Sequence, residues 1–219
     1  MFQYVLFDLD GTLTDPKAGI TSCVQYALAD AGIEEPDLDK LEPFIGPPLT
    51  DSFREFYGFD DEQIKRAIDK YHERFDEKGI FENEIIEGIP ELLKALKDAG
   101  RRVSIASSKP RPLVIRILEH FEIAQYFDTV VGSEFDGRFA TKEAVVEEAL
   151  RQLVPSVYEK EDVAMVGDRK FDIQGARAHG LTGIGVSFGY AGEHELEDAG
   201  ADYIVDTVEE LQRLLLQGS

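Results

Sequence analysis

The chain has 219 residues, 43% hydrophobic and 31% charged, which supplies apolar material for a sizeable core and argues against disorder. Lysine and arginine number 23 against 44 aspartates and glutamates, a formal net charge of −21. Such an excess argues against nucleic-acid backbones and membrane surfaces as partners, and any anionic substrate must meet a local cluster of cations or a metal.

The first structural phrase is "FQYVLFDLDGTLTDP", residues 2–16. The run Tyr4 to Phe7 reads as a strand that begins almost at the first residue. No room for a removable leader is therefore expected. No apolar run approaches the ~18 residues that a membrane span needs. A single cysteine, Cys23, leaves no intrachain disulfide, and a cytoplasmic location is the expectation. From about Pro16 to about Ile85 the chain shows helical patterns and no convincing strand. Gly19 to Ala31 and Glu62 to Lys78 are the better helices, with "FIGPPLTDSF" between them.

After this stretch strand-like runs recur at Val103 to Ala106, Thr129 to Val131, Val163 to Val166, Gly183 to Val186 and Tyr203 to Val205. They are continuous rather than alternating, as in strands covered on both faces. Between them lie helix-period segments, clearest at Ile89 to Ala99, Leu113 to Phe121, Lys142 to Leu153, Asp172 to His179 and Val208 to Leu216. Gly32, Gly100, Gly180 and Gly200 punctuate the presumed helix ends, where glycine closes a helix in the left-handed conformation. The alternation predicts an α/β fold: a doubly wound, Rossmann-like parallel sheet with an inserted all-helical cap. The expected boundaries are residues 1–15 and 86–219 for the core and 16–85 for the cap.

In open α/β sheets, ligands bind at the carboxyl ends of the strands. Asp8 and Asp10 follow the first run, Ser107, Ser108 and Lys109 the second, Lys142 comes after the third, and "GDRKFD" with Asp168 and Asp172 follows the fourth. Asp8 and Asp10 are two apart and can face one pocket. Close carboxylates repel unless protonated or bridged by a cation, and a hard divalent ion such as Mg²⁺ suits oxygen ligands. The set suits phosphoryl transfer, which needs charge neutralisation and positioning. Asp8 can attack phosphorus, and Asp10 can protonate the leaving alkoxide and then deprotonate water. Gly11 lets the chain turn sharply. Ser107 can bond a phosphoryl oxygen, although Ser108 could be the functional hydroxyl. Pro110 or Pro112 can open a helix whose N–H groups favour an anion. Lys142 can bridge phosphate and Asp8, with Lys109 as a secondary phosphate contact.

Taken together, "DLDGTLTD", the serine that closes "VSIASS", Lys142 and "GDRKFD" resemble, in order and spacing, the four motifs of the haloacid dehalogenase-like hydrolases, here of the phosphatase kind with a helical cap. The resemblance spans the chain. It implies Asp8 as nucleophile, Asp10 as acid and base, and Mg²⁺ bound by the Asp8 carboxylate, the Asp10 carbonyl and Asp168, with Asp172 as ligand or support. The tail from "GDRKFD" to "YIV" looks most like phosphoglycolate phosphatase-type members, some of which resemble 5′-nucleotidases. One departure is Glu143 directly after the lysine, where many relatives have proline. The implied substrate is a small phosphorylated metabolite, 2-phosphoglycolate first and nucleoside monophosphates second. A sugar phosphomutase and a non-enzymatic phosphoacceptor switch are the rivals; Asp10 argues against the switch.

Gly46 to Leu49, "GPPL", reads either as a turn that contacts the substrate or as a plain connector between helices. The aromatic stretch Phe44 to Phe59 reads as packing. The four histidines show no metal-ligand spacing. Monomer and homodimer both remain open.

Overall fold

A computed structural model describes residues 2–134 and 136–217. The chain divides into two compact units, one of Met1–Thr14 with Ile85–Ser219 and one of Asp15–Glu84. The first unit holds a sheet of β1 (Tyr4–Phe7), β4 (Arg102–Pro110), β5 (Thr129–Ser133), β6 (Val163–Gly167), β7 (Thr182–Val186) and β8 (Tyr203–Val205). Two further short strands, β2 (Thr14–Asp15) and β3 (Glu84–Ile85), pair with each other where the chain passes between the units. The sheet order is β5-β4-β1-β6-β7-β8, with every pairing parallel.

From β1 the chain builds outward to β4 and β5, then returns to β6 and builds the other way. The order therefore reverses at β1, and that reversal opens a crevice at the carboxyl ends of β1, β4 and β6. Phe7 lies level with Ile105 on one side and Val166 on the other, so Asp8 emerges between two strand ends.

Helices cover the sheet. The helices of this unit are α4 (Ile89–Asp98), α5 (Arg111–His120), α6 (Lys142–Leu153), α7 (Lys170–Ala178), α8 (Glu195–Ala199) and α9 (Val208–Gln217); the other unit supplies α1 to α3. Leu6, Val163 and Met165 pack with Val145, Val146, Ala149 and Leu150 of α6 and with Ala176 of α7. Val5 and Phe7, which alternate with Leu6 and so face the other way, are fully buried too. Covering on both faces explains why the strands read as unbroken apolar runs. The four glycines expected at helix ends all take positive φ, between 66° and 80°.

The strands fall within a residue or two of the expected runs, with one exception. β4 continues past Ala106 to Pro110, and its register against β5 shifts between Ser107 and Pro110. The extension carries the serine pair and Lys109 along the strand edge, and such a shift re-aims side chains. The short α8 was not anticipated, nor was the pairing of Glu84–Ile85 with Thr14–Asp15.

The second unit is built from α1 (Lys17–Asp30), a 3-10 turn at Leu38–Phe44, α2 (Leu49–Tyr57) and α3 (Asp61–Phe75). Helix α2 begins at the last residue of "GPPL" and runs through the aromatic stretch, where no helix was singled out. It starts directly after Pro48 and ends on Gly58. Asp60 caps α3, accepting from the N–H groups of Glu62 and Gln63, while the Gln63 side-chain oxygen accepts from the Asp60 N–H. Phe44, Phe53 and Phe59 form one part of the core here: Phe53 meets Phe44 edge-on at 5.0 Å and stacks on Phe59 at 5.6 Å. Phe56 of the same stretch is 45% exposed.

Candidate active site

Strand β1 ends at Phe7, and Asp8 follows with its N–H still bonded to the Val166 carbonyl at 2.9 Å. The chain then turns tightly: Thr12, Leu13 and Thr14 all direct their N–H groups to the Leu9 carbonyl. Gly11 sits in this turn at φ 78°, and a Cβ there would lie 2.1 Å from Asp168 Oδ2. Glycine is thus required twice over, by the backbone and by the neighbouring acid.

Asp8, Asp168 and Asp172 converge, each offering a carboxylate oxygen within 4.8 Å of the others. All three are buried, at 6%, 1% and 0% exposure. Lys142 opens α6 behind the N-cap Thr141 and is itself buried. Its ammonium lies 2.8 Å from both Asp8 and Asp172 and donates to the Ala106 carbonyl at 3.0 Å. One cation therefore ties β1, β4 and α7 together.

The charges do not cancel. Three carboxylates face one ammonium, and buried uncompensated charge is costly. Burial, and after it the Asp172 and Asp8 charges, push the Asp168 carboxyl well above the usual carboxylate range. Burial also raises Asp172, against the pull of Lys142. Burial lowers the Lys142 ammonium, but Asp172 and Asp8 outweigh it and hold the lysine protonated. Asp10 Oδ1 is buried and accepts no hydrogen bond among the described residues. An all-oxygen donor set with surplus negative charge fits a hard divalent cation.

Asp10, expected to reach a metal through its backbone carbonyl, directs its side chain elsewhere. Its carboxylate stands apart from the cluster and pairs with the Lys109 ammonium at 2.5 Å, both side chains being nearly buried. Ser107 is 2% exposed and its hydroxyl accepts weakly from the Lys109 N–H, whereas the Ser108 carbonyl accepts from the Ser133 hydroxyl. Pro110 caps α5, with Pro112 in its first turn. Gly46 lies in the helical unit, just before α2.

Several contributors carry no obvious mark in the sequence. The Tyr190 N–H donates to Asp168 Oδ2 at 2.8 Å, and the Thr12 hydroxyl reaches Asp168 Oδ1 at 3.4 Å. A Cβ on Gly189 would lie 2.3 Å from the Asp168 Cβ, so the "SFGYAG" loop can lie against the acid only with glycine there. The signal that could have found this loop is positional. It follows β7, the neighbour of β6, at the same sheet edge.

Comparison with known proteins agrees with this geometry. The family model for haloacid dehalogenase-like hydrolases matches residues 5–186. A 5′-nucleotidase of Pseudomonas aeruginosa is 47% identical over 196 residues, 89% of this chain and 87% of that protein. A protein of Mycobacterium tuberculosis named tyrosine-protein kinase PtkA is 38% identical over 97% of this chain and 72% of its own length. Among solved structures, a predicted phosphatase from Clostridium acetobutylicum superposes with a TM-score of 0.93 at 46% identity, covering 99% of each chain. The chain belongs to the haloacid dehalogenase-like hydrolase family, and it is a phosphatase.

Proposed function

We propose that the protein is an Mg²⁺-dependent phosphatase that hydrolyses a small phosphomonoester through a phosphorylated Asp8. The observation that carries this reading is Lys142 bridging Asp8 and Asp172 beside Asp168, at the sheet edge where the strand order reverses. Asp8, Asp168 and the Asp10 carbonyl would hold Mg²⁺, with Asp172 as a further ligand or support. When bound, the ion neutralises charge that builds up on the phosphoryl oxygens.

The chain's own groups perform the rest. Ser107, Lys142 and the N–H groups that open α5 bind the phosphoryl oxygens and align phosphorus with Asp8. The Asp8 carboxylate forms a bond to phosphorus as the bond to the leaving oxygen breaks. Asp10, once Lys109 has moved to the incoming phosphate and a proton has been taken up from solvent, gives that oxygen a proton, then takes one from the water that attacks the phosphoaspartate and releases phosphate. Lys109, paired with Asp10, can shift its ammonium to the incoming phosphate and free Asp10 for proton transfer. The helical unit Asp15–Glu84 is assigned the cap's task of selecting the leaving group, with Gly46 of "GPPL" as a substrate contact.

Nucleoside monophosphates stand first as substrates, because the relative at 47% identity is a 5′-nucleotidase. The resemblance of the tail favours 2-phosphoglycolate, which stands second. Initial rates over a panel of nucleoside monophosphates, 2-phosphoglycolate, sugar phosphates and p-nitrophenyl phosphate, with Mg²⁺, test the reading. Multiple turnovers with phosphate release, highest kcat/KM on a nucleotide and loss in Asp8→Asn support it. Isomerised sugar phosphate without phosphate release points to a mutase. Phosphate moved from ATP to tyrosine points to the activity named for the mycobacterial relative. Either result overturns the reading.

A further inference from the structure

Among the residues that hold the loop of Asp168 and Asp172 from outside the acidic cluster is Glu195. Its Oε1 accepts from the Arg169 side chain (Nε, 2.9 Å) and from the Lys170 N–H (2.8 Å). Its Oε2 accepts from the Gly192 N–H at 3.0 Å. Arg169 and Lys170 lie between the two acids in sequence, and the Arg169 N–H itself bonds Asp172 Oδ2 at 3.0 Å. Tyr190, a few residues before Glu195, supplies the N–H that fixes Asp168 Oδ2. The segment 189–195 therefore grips the segment 168–172 at Asp168 and again at Arg169 and Lys170, and Glu195 supplies the second grip.

The pair is shielded. The Glu195 and Arg169 side chains are 14% and 13% exposed, unlike most ion pairs of this protein. Geometry of this kind is strong, since a charged acceptor bonded to a guanidinium and a backbone N–H fixes direction as well as distance. It also occupies a guanidinium that sits one residue from Asp168. Released, that guanidinium could compete with a cation for the Asp168 carboxylate. Burial pushes the Glu195 carboxyl up, but Arg169 and the Lys170 and Gly192 N–H groups outweigh it and hold it below the usual range.

We infer that Glu195 is a positioning residue for the divalent-cation site: it fixes the Asp168–Asp172 loop through Lys170 and keeps the Arg169 guanidinium engaged, off the Asp168 carboxylate. The inference rests on the proposed metal site. Outer residues that orient ligands typically change metal affinity by about 10- to 100-fold when removed.

The test is Mn²⁺ binding, followed by electron paramagnetic resonance on the metal-free full chain, together with the Mn²⁺ dependence of p-nitrophenyl phosphate hydrolysis. Glu195→Gln and Glu195→Ala are compared with Asp168→Asn and with Glu197→Gln, an exposed neighbour. Glu195→Gln keeps the size of the side chain, and near-ultraviolet circular dichroism checks its fold. The expected result is a dissociation constant raised about tenfold or more in both Glu195 variants. Their kcat at saturating Mn²⁺ should recover toward that of the unmodified protein, and Glu197→Gln should bind normally. Unchanged affinity in the Glu195 variants, with Asp168→Asn impaired, overturns the inference alone. A loss confined to kcat does the same. Absence of Mn²⁺ binding by the unmodified protein overturns the metal site, and the inference with it.

Discussion

The sheet unit and the helical unit use charge in opposite ways. Among the described residues, the buried charged ones are Asp8, Lys142, Asp168 and Asp172, all in the sheet unit. In the helical unit the charges pair near the surface, as in Arg66–Asp30 and Arg54–Asp61, where Asp61 is 93% exposed. Its core is apolar instead, with Phe44, Phe53 and Phe59 packed together and Val24, Leu28 and Ile64 buried. Folding alone does not reward three carboxylates around one lysine, whereas exposed pairs cost little and contribute little. The contrast sets the proposed chemistry in the sheet unit.

The comparison can be broken most sharply at Asp8. Asp8→Asn should lower kcat by at least about a thousandfold while the protein stays folded, because an amide is a far weaker nucleophile. Stopped assays at equal protein concentration measure it. In the helical unit the largest effect should be on stability. Phe53 is fully buried, and Phe53→Ala should cost about 3–5 kcal/mol by denaturant unfolding. Its Mn²⁺ affinity, measured well below the melting temperature, should not change. A matching loss of metal binding would break the division of labour.

Smaller effects sharpen it. Gly11→Ala places a Cβ against Asp168 and should weaken metal binding by about tenfold. Asp128 offers a pH test. Burial raises this carboxyl, but the Val103 N–H, Lys97 and Arg102 outweigh burial and hold it below the usual range. A lowered carboxylate stabilises the fold above its unfolded pKa of ~3.9, and that stability is lost as pH falls through the lower folded value. Asp128→Asn should therefore cost about 1–2 kcal/mol at pH 7, by thermal or urea unfolding, and the difference should shrink below about pH 4. Least of all, Arg66→Ala should change stability by no more than about 1 kcal/mol, since its pair with Asp30 lies at the surface.

Much of the sheet unit was legible in the sequence, and for a physical reason. A strand buried on both faces leaves an unbroken apolar run, so the polar residues that end it stand out; Asp8, Ser107 and Asp168 were found in this way. Lys142 and Asp172 were legible because each stands at the beginning of a clear helical period. What stayed hidden depends on tertiary partners. Nothing in the order of residues shows that Asp10 turns to Lys109 rather than to the other acids. The Tyr190 N–H is a backbone donor, which any residue but proline would supply. Helix α8 spans only Glu195–Ala199, too short for a period to register. In α2, Phe53, Phe56 and Tyr57 are indifferent helix formers, and the helix rests on packing against Phe44 and Phe59.

The most direct test of the central claim is to trap the reaction. The enzyme is mixed with Mg²⁺ and a nucleoside monophosphate radiolabelled in its phosphate, then quenched in acid within milliseconds and digested. The account predicts label on the peptide that contains Asp8, lost on mild base treatment and absent from Asp8→Asn. Label on Ser107, Ser108 or a tyrosine, or undiminished turnover in Asp8→Asn, would contradict it.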